Sequence, residues 1–147
     1  MHLSSCAGVK KRPGYRQGLG VMTPKATVFI VDDDIAVRDS LKLLLETYGL
    51  AVEDYGSASE FFRAYQPCQR QCLVLDHHLA GETGLDFLES ADGNGLRMPI
   101  ILVSGGGDQV LKDRALKAGV LAYFDKPLDN SVLLTTIFKA VGIAPPN

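Results

Sequence analysis

Four places in this 147-residue chain combine reactive side chains with the end of an apolar run. Asp32, Asp33 and Asp34 follow TVFIV. Asp76 closes CLVLD and is followed by His77 and His78. Ser104 ends PIILVS and leads into Gly105, Gly106 and Gly107. Asp125, Lys126 and Pro127 follow LAYF. Carboxylates gathered at close range repel one another unless a cation or a proton intervenes. Oxygen-only ligands of this kind suit Mg²⁺, which keeps waters and takes one or two carboxylates plus a phosphate oxygen. A carboxylate can also attack phosphorus and form an acyl phosphate. The transferred group then needs a cation and hydrogen-bond donors at fixed positions. Lys126 offers the charge and Ser104 a hydroxyl, and the glycines after Ser104 let the backbone approach closely. Each piece alone has a plainer reading. An aspartate at a strand end is commonly a helix cap or turn residue, and Asp34 reads as such a cap. Lys126 alone is a surface lysine and Ser104 alone a turn residue.

The apolar pattern determines whether these residues meet. Strand-like runs fall at residues 27–31, 50–55, 71–75, 99–104 and 121–124. Helical spacing falls between them. Val37, Leu41, Leu44, Leu45 and Tyr48 form one stripe, and Ala58, Phe61, Phe62 and Tyr65 a second, opened by the capping pair Ser57 and Glu60. Residues 83–90 form a short helix with Leu85 and Leu88 inward. Asp108 caps a helix with Val110, Leu111, Ala115 and Ala118 inward, closed by Gly119. Asp129 or Asn130 caps the last helix, with Leu134, Ile137, Phe138 and Val141 inward. The result is α/β, a (βα)₅ chain. Strands without polar alternation imply a doubly wound parallel sheet with helices on both faces. Ligands of such sheets bind outside the carboxyl ends of the strands, where all four reactive groups fall.

The net charge of −2 is unevenly spread. Residues 1–25 hold Lys10, Lys11, Arg12, Arg16 and Lys25 and no acid; removing their +5 from −2 leaves −7 on the remainder. An acidic folded part is a poor surface for a phosphate backbone, so direct DNA binding is not expected of it. Residues 1–25 read as a disordered basic extension, with Met22 an alternative translation start. Residues 26–142 read as one domain and 143–147 as a short tail. Cys6, Cys68 and Cys72 are odd in number and irregular in spacing, which argues against a disulfide framework and fits a reducing compartment. No run has the length of a membrane span and no secretory h-region follows the basic start, so no membrane association is expected and the expected location is cytoplasmic. Zinc at Cys68, Cys72, His77 and His78 matches no strong ligand spacing, and Cys72 reads as a small buried hydrophobe.

The blocks IVDDDIAVRDSL, LVLDHHLAGETGLDFL, IILVSGGGD and ALKAGVLAYFDKP resemble the signature blocks of the response-regulator receiver domain of two-component signalling. The resemblance covers roughly residues 26–141 and is similar in flavour to receivers of nitrogen-fixation and nitrate-type regulators. It implies a flavodoxin-like fold with strand order 2-1-3-4-5. It implies that Asp76 accepts a phosphoryl group from a histidine kinase or a histidine phosphotransfer protein. Asp32, Asp33, Asp76 and the backbone carbonyl of His78 would hold Mg²⁺. Ser104 and Lys126 would contact the phosphoryl group, and the Lys126–Pro127 bond would be cis. Ser104 and Tyr123 would form a switch that reshapes the face made by the fourth helix, fifth strand and fifth helix. That face would dock a downstream protein target or a second copy in a phosphorylation-dependent homodimer. No multiple-turnover substrate is expected. Gly84 stands where the family turns tightly, and Ala80 departs from the family's usual proline. His77 reads as an exposed loop residue; His78 reads either so or as a group that tunes phosphoryl lifetime.

Two other readings use the same residues. A haloacid-dehalogenase-like phosphatase would use Asp32 and Asp34 as an Asp-x-Asp pair, but leaves Asp76 without a role and has no room for a cap domain. A receiver-like adaptor would keep the fold without accepting phosphate, yet retain costly acids. Only GIAPPN follows Val141, so a stand-alone receiver is expected.

Overall fold

Short apolar runs become strands and period-3.6 stripes become helices over the residues that the structure, a computed structural model, describes: 26–143. The strands are β1 Thr27–Val31, β2 Ala51–Tyr55, β3 Gln71–Asp76, β4 Ile100–Ser104 and β5 Ala122–Asp125. The helices are α1 Ile35–Thr47, α2 Ala58–Ala64, α3 Gly84–Glu89, α4 Ala91–Asn94, α5 Gln109–Lys117 and α6 Asn130–Val141. All strand pairs are parallel and the order is β2-β1-β3-β4-β5. The expected fold is therefore the observed one.

Alternate strand residues feed two cores. Val28, Ile30, Val74, Ile101 and Val103 pack against α1 and α6 through Leu41, Leu45, Leu133, Ile137 and Val141. Phe29, Val31, Leu73, Leu75 and Leu102 pack on the other face against α2, α3 and α5, through Phe61, Leu85, Leu88 and Ala115. All six residues of β3 are buried, and from Cys72 to Leu75 this central strand is apolar before the Asp76 carboxylate at its end. That double coverage is the physical reason the strands show no polar alternation.

Side-chain caps fix where each helix starts. Asp34 accepts from the Ala36 and Val37 amides, Ser57 from Glu60, Asp108 from Leu111, and Asp129 from Ser131 and Val132. Gly119, at φ +96°, follows α5 and stops it. Among the described residues no helix is long and apolar enough to cross a membrane.

Several expectations are corrected. Val110 is 66% exposed and Tyr48 42% exposed. Leu111, Ala115 and Ala118 set the inner face of α5, and Val110 stands about 100° off it. Tyr48 lies after the last helical residue, at the C-cap of α1, where the chain leaves the helical path. The helix expected at 83–90 is α3, and a further short helix, α4, follows it that was not expected. Ser90 is extended at φ −75°, ψ 167°, ends α3, and caps α4 by accepting from the Gly93 amide. Cys72 is free and fully buried, the small buried hydrophobe expected of it. The readings made on residues 1–25, including Met22, and on 144–147 lie outside the described residues.

Candidate functional site

Strand register decides which reactive residues become neighbours. Val31 pairs with Leu75, so Asp32 and Asp76 emerge side by side. Asp76 pairs with Val103, and Ser104 with Asp125, so Ser104 and Lys126 flank Asp76 from the other side. The backbone seals this edge: the His77 amide donates to the Val103 carbonyl at 2.8 Å, and the Lys126 amide to the Ser104 carbonyl at 2.9 Å.

The charges converge on Asp76. It is 5% exposed, as is Asp32, while Ser104 is fully buried. Lys126 Nζ lies 3.2 Å from Asp76 Oδ1 and 3.9 Å from Asp32 Oδ2. The shorter contact is an ion pair by distance only. The ammonium does not line up as a hydrogen-bond donor, and Asp76 Oδ1 is a buried oxygen without one. One carboxylate oxygen from each of Asp32, Asp33 and Asp76 lies within 4.8 Å of the others. Burial first, and then the Asp76 charge, push the Asp32 carboxyl above the ordinary carboxylate range, against the Asp34 amide and Lys126, which pull it down. Three carboxylate oxygens gathered this closely fit a hard divalent cation such as Mg²⁺. Among the described residues no backbone amide donates to the His78 carbonyl. Among the described residues Cys72, His77 and His78 do not gather into a candidate metal site.

The loop after Asp76 is held at several points. Gly84 approaches so closely that a Cβ there would lie 2.5 Å from the Asp76 carbonyl oxygen. Its amide donates to the His77 carbonyl at 2.8 Å. His77 is half-buried, and its Nδ1 accepts from the Leu85 amide at 3.3 Å, so its proton is on Nε2. Burial, then the neighbouring His78, lower its pKa. The expectation of His77 as an exposed loop residue is corrected; only a fold that brings residue 85 back to 77 reveals the bond. The Ala80 amide donates to Asp33 Oδ2 at 3.1 Å, a bond that needs the N–H a proline would lack.

The remaining residues surround Asp76. Exposed His78 places Nε2 3.3 Å from Ser104 Oγ, which also accepts from the Gly106 amide at 3.4 Å. The Tyr123 hydroxyl donates to Asp125 Oδ1 at 3.1 Å and occupies the space a Cβ on Gly107 would need. Burial first raises its pKa, opposed by the Ser104 hydroxyl. The Lys126–Pro127 peptide is cis. Asp34, the exposed α1 cap, spends its carboxylate on two amides. Arg38, absent from the sequence reading, donates to the Asp32 carbonyl at 2.7 Å.

Comparison with known proteins points the same way. The family model described as the response regulator receiver domain matches residues 28–138. The transcriptional regulatory protein FixJ of Azorhizobium caulinodans is 36% identical over 121 residues, covering 82% of this chain and 57% of that protein. Nodulation protein W of Bradyrhizobium diazoefficiens is 39% identical over 116 residues, covering 79% of this chain and 51% of that protein. The chain thus spans between half and three-fifths of these two relatives. Among solved structures, FixJ-N superposes with a TM-score of 0.71 at 29% identity, covering 85% of this chain and all of that one. The response regulator StyR gives 0.71 at 36% identity, covering 81% and 60%.

Proposed function

The chain belongs to the response regulator receiver domain family of two-component signalling, and on that premise we propose that Asp76 is its phosphoacceptor. The observation that carries this reading is the buried Asp76 Oδ1, without a hydrogen-bond donor and 3.2 Å from Lys126 Nζ. An oxygen so placed keeps a lone pair for an incoming phosphorus, and the ammonium beside it offsets the charge brought in. The donor is the phosphohistidine of a histidine kinase or of a histidine phosphotransfer protein. The Asp76 oxygen bonds to phosphorus while the donor's N–P bond breaks, and the imidazole leaves with that bond's electrons. Lys126 pairs with the transferred group and the Ser104 hydroxyl donates to it. Asp32, Asp33, Asp76 and the His78 carbonyl would hold Mg²⁺, which supplies positive charge to the phosphoryl oxygens when bound.

The output is a change of packing. Ser104 and Tyr123 form the switch, since the Ser104 hydroxyl is drawn to the phosphoryl group and leaves room for the tyrosine ring. Two packings then exchange population on the face of α5, β5 and α6. A downstream protein, or a second copy of the chain, reads that face. We place the receiver at residues 26–142, as a self-phosphorylating domain rather than a multiple-turnover enzyme. Direct DNA contact is not expected of this acidic segment; the matched relatives, longer than this chain, include regulators named as transcriptional.

The test is intact mass after incubation with Mg²⁺ and acetyl phosphate. Wild-type protein gains one phosphoryl group and Asp76→Asn gains none. Equal masses before and after in the wild type, together with no binding of beryllium fluoride, would favour a phosphate-independent adaptor.

A further inference from the structure

Asp32 is fixed at nearly every polar atom. Its amide donates to the Tyr55 carbonyl at 3.2 Å. Its Oδ1 accepts from the Asp34 amide at 2.9 Å. Its carbonyl accepts from Arg38 Nη1 at 2.7 Å. The oxygen left over is Oδ2, which lies 3.9 Å from Lys126 Nζ. The turn thereby presents one chosen carboxylate oxygen to the acidic site.

Arg38 is the member of this set whose chemistry a sequence change can remove without touching Asp32, Asp33 or Asp76. It rises from the first turns of α1 and its side chain is 15% exposed. Nε donates to Asp54 Oδ2 at 2.9 Å, near the end of β2, while Nη1 reaches the Asp32 carbonyl. Lys42 Nζ, 3.7 Å from Asp54 Oδ1, supports the same carboxylate. Gly56 leaves room for the guanidinium, because a Cβ there would stand 3.3 Å from Nη1. The planar fork thus ties the end of β2 to the residue that follows β1. A lysine has one compact ammonium and no such fork.

We propose that Arg38 is a positioning residue for the cation site: by holding the Asp32 carbonyl against the end of β2, it presets Asp32 Oδ2 as a metal ligand. The inference rests on the acidic site being a divalent-cation site, as read above. Outer partners that orient a ligand commonly change metal affinity by about 10–100-fold. The arginine contributes no ligand atom, so its effect is on the geometry of the site.

The probe is Mn²⁺, with free ion measured by electron paramagnetic resonance, on the full chain. Arg38→Ala leaves Asp54 without its arginine and can destabilise the fold, so the informative variant is Arg38→Met combined with Asp54→Asn. That pair removes both charges together. Expected is a loss of Mn²⁺ affinity of about tenfold, with the thermal midpoint in chelator close to wild type, and partial recovery in Arg38→Lys. A purely structural role would move the midpoint in chelator and leave the affinity of the folded fraction unchanged. Wild-type affinity in the double variant overturns the proposal while the cation site stands. No Mn²⁺ binding by the wild type overturns both.

Discussion

At the residue scale, chemistry here is made by environment. Asp76 and Asp33 are the same side chain, yet one is 5% exposed beside an ammonium and the other is exposed and accepts an amide. Residue type and strand-end position were enough to single out Asp32, Asp33, Asp76, Ser104 and Lys126. They were not enough for Arg38 or His77, whose partners Asp54 and Leu85 lie 16 and 8 residues away. Neither contact has a periodic signature. Cys72 shows the reverse case, since a thiol inside an apolar strand reads as buried from the sequence. Burial raises its pKa from 9.0 to about 12. The unfolded chain therefore gives up the thiol proton first as pH rises. The stabilisation this provides is complete below about pH 9 and is lost as pH climbs towards 12. Urea midpoints measured from pH 7 upward are expected to fall more steeply in the wild type than in Cys72→Ala above the lower value. Parallel curves would show that the thiol does not titrate differently on folding.

At the element scale, capping and strand register place the site. The caps at Asp34, Ser57, Asp108 and Asp129 were readable because each acid or hydroxyl directly precedes an apolar stripe. Inner faces were less readable where apolar residues adjoin. Leu133 is fully buried beside half-buried Leu134, and a stripe built on Leu134 misses it. The short helix α4 was missed because it has no apolar stripe of its own; Gly93 packs so tightly on the Phe87 carbonyl that a Cβ has no space. Gly84 is the analogous point in the loop after Asp76, where a Cβ would also lie 3.0 Å from His77 Cα. Gly84→Ala is expected to cost about 1–3 kcal/mol, the usual range for forcing atoms into a packed region. It should also slow phosphorylation of Asp76, because the atom it displaces is that residue's own carbonyl. Chemical denaturation and intact mass check the two effects separately; unchanged stability would mean that the loop relaxes freely.

At the scale of the whole molecule, two apolar layers on one parallel sheet leave only the carboxyl edge polar and convergent. The fold class followed from the alternation of strand and helix patterns, and the site followed from the fold. What the sequence left open is which partner, a downstream protein or a second copy, reads the face of α5, β5 and α6. Val110, Leu116 and Leu121, exposed at 66%, 48% and 51%, lie on or beside α5 and β5, close to the proposed Tyr123 switch. Beryllium fluoride with Mg²⁺ is expected to raise the sedimentation coefficient of the wild type, and Leu121→Asp to prevent that rise. An unchanged coefficient would assign the face to another protein instead of a second copy.

The most direct measurement is the position of the modified residue. After reaction with acetyl phosphate and Mg²⁺, borohydride converts an aspartyl phosphate to homoserine, which peptide mass mapping locates. Homoserine at position 76 alone is the expected result. Homoserine at Asp32 or Asp33, or phosphate retained by Asp76→Asn, would contradict the assignment of Asp76 as the acceptor.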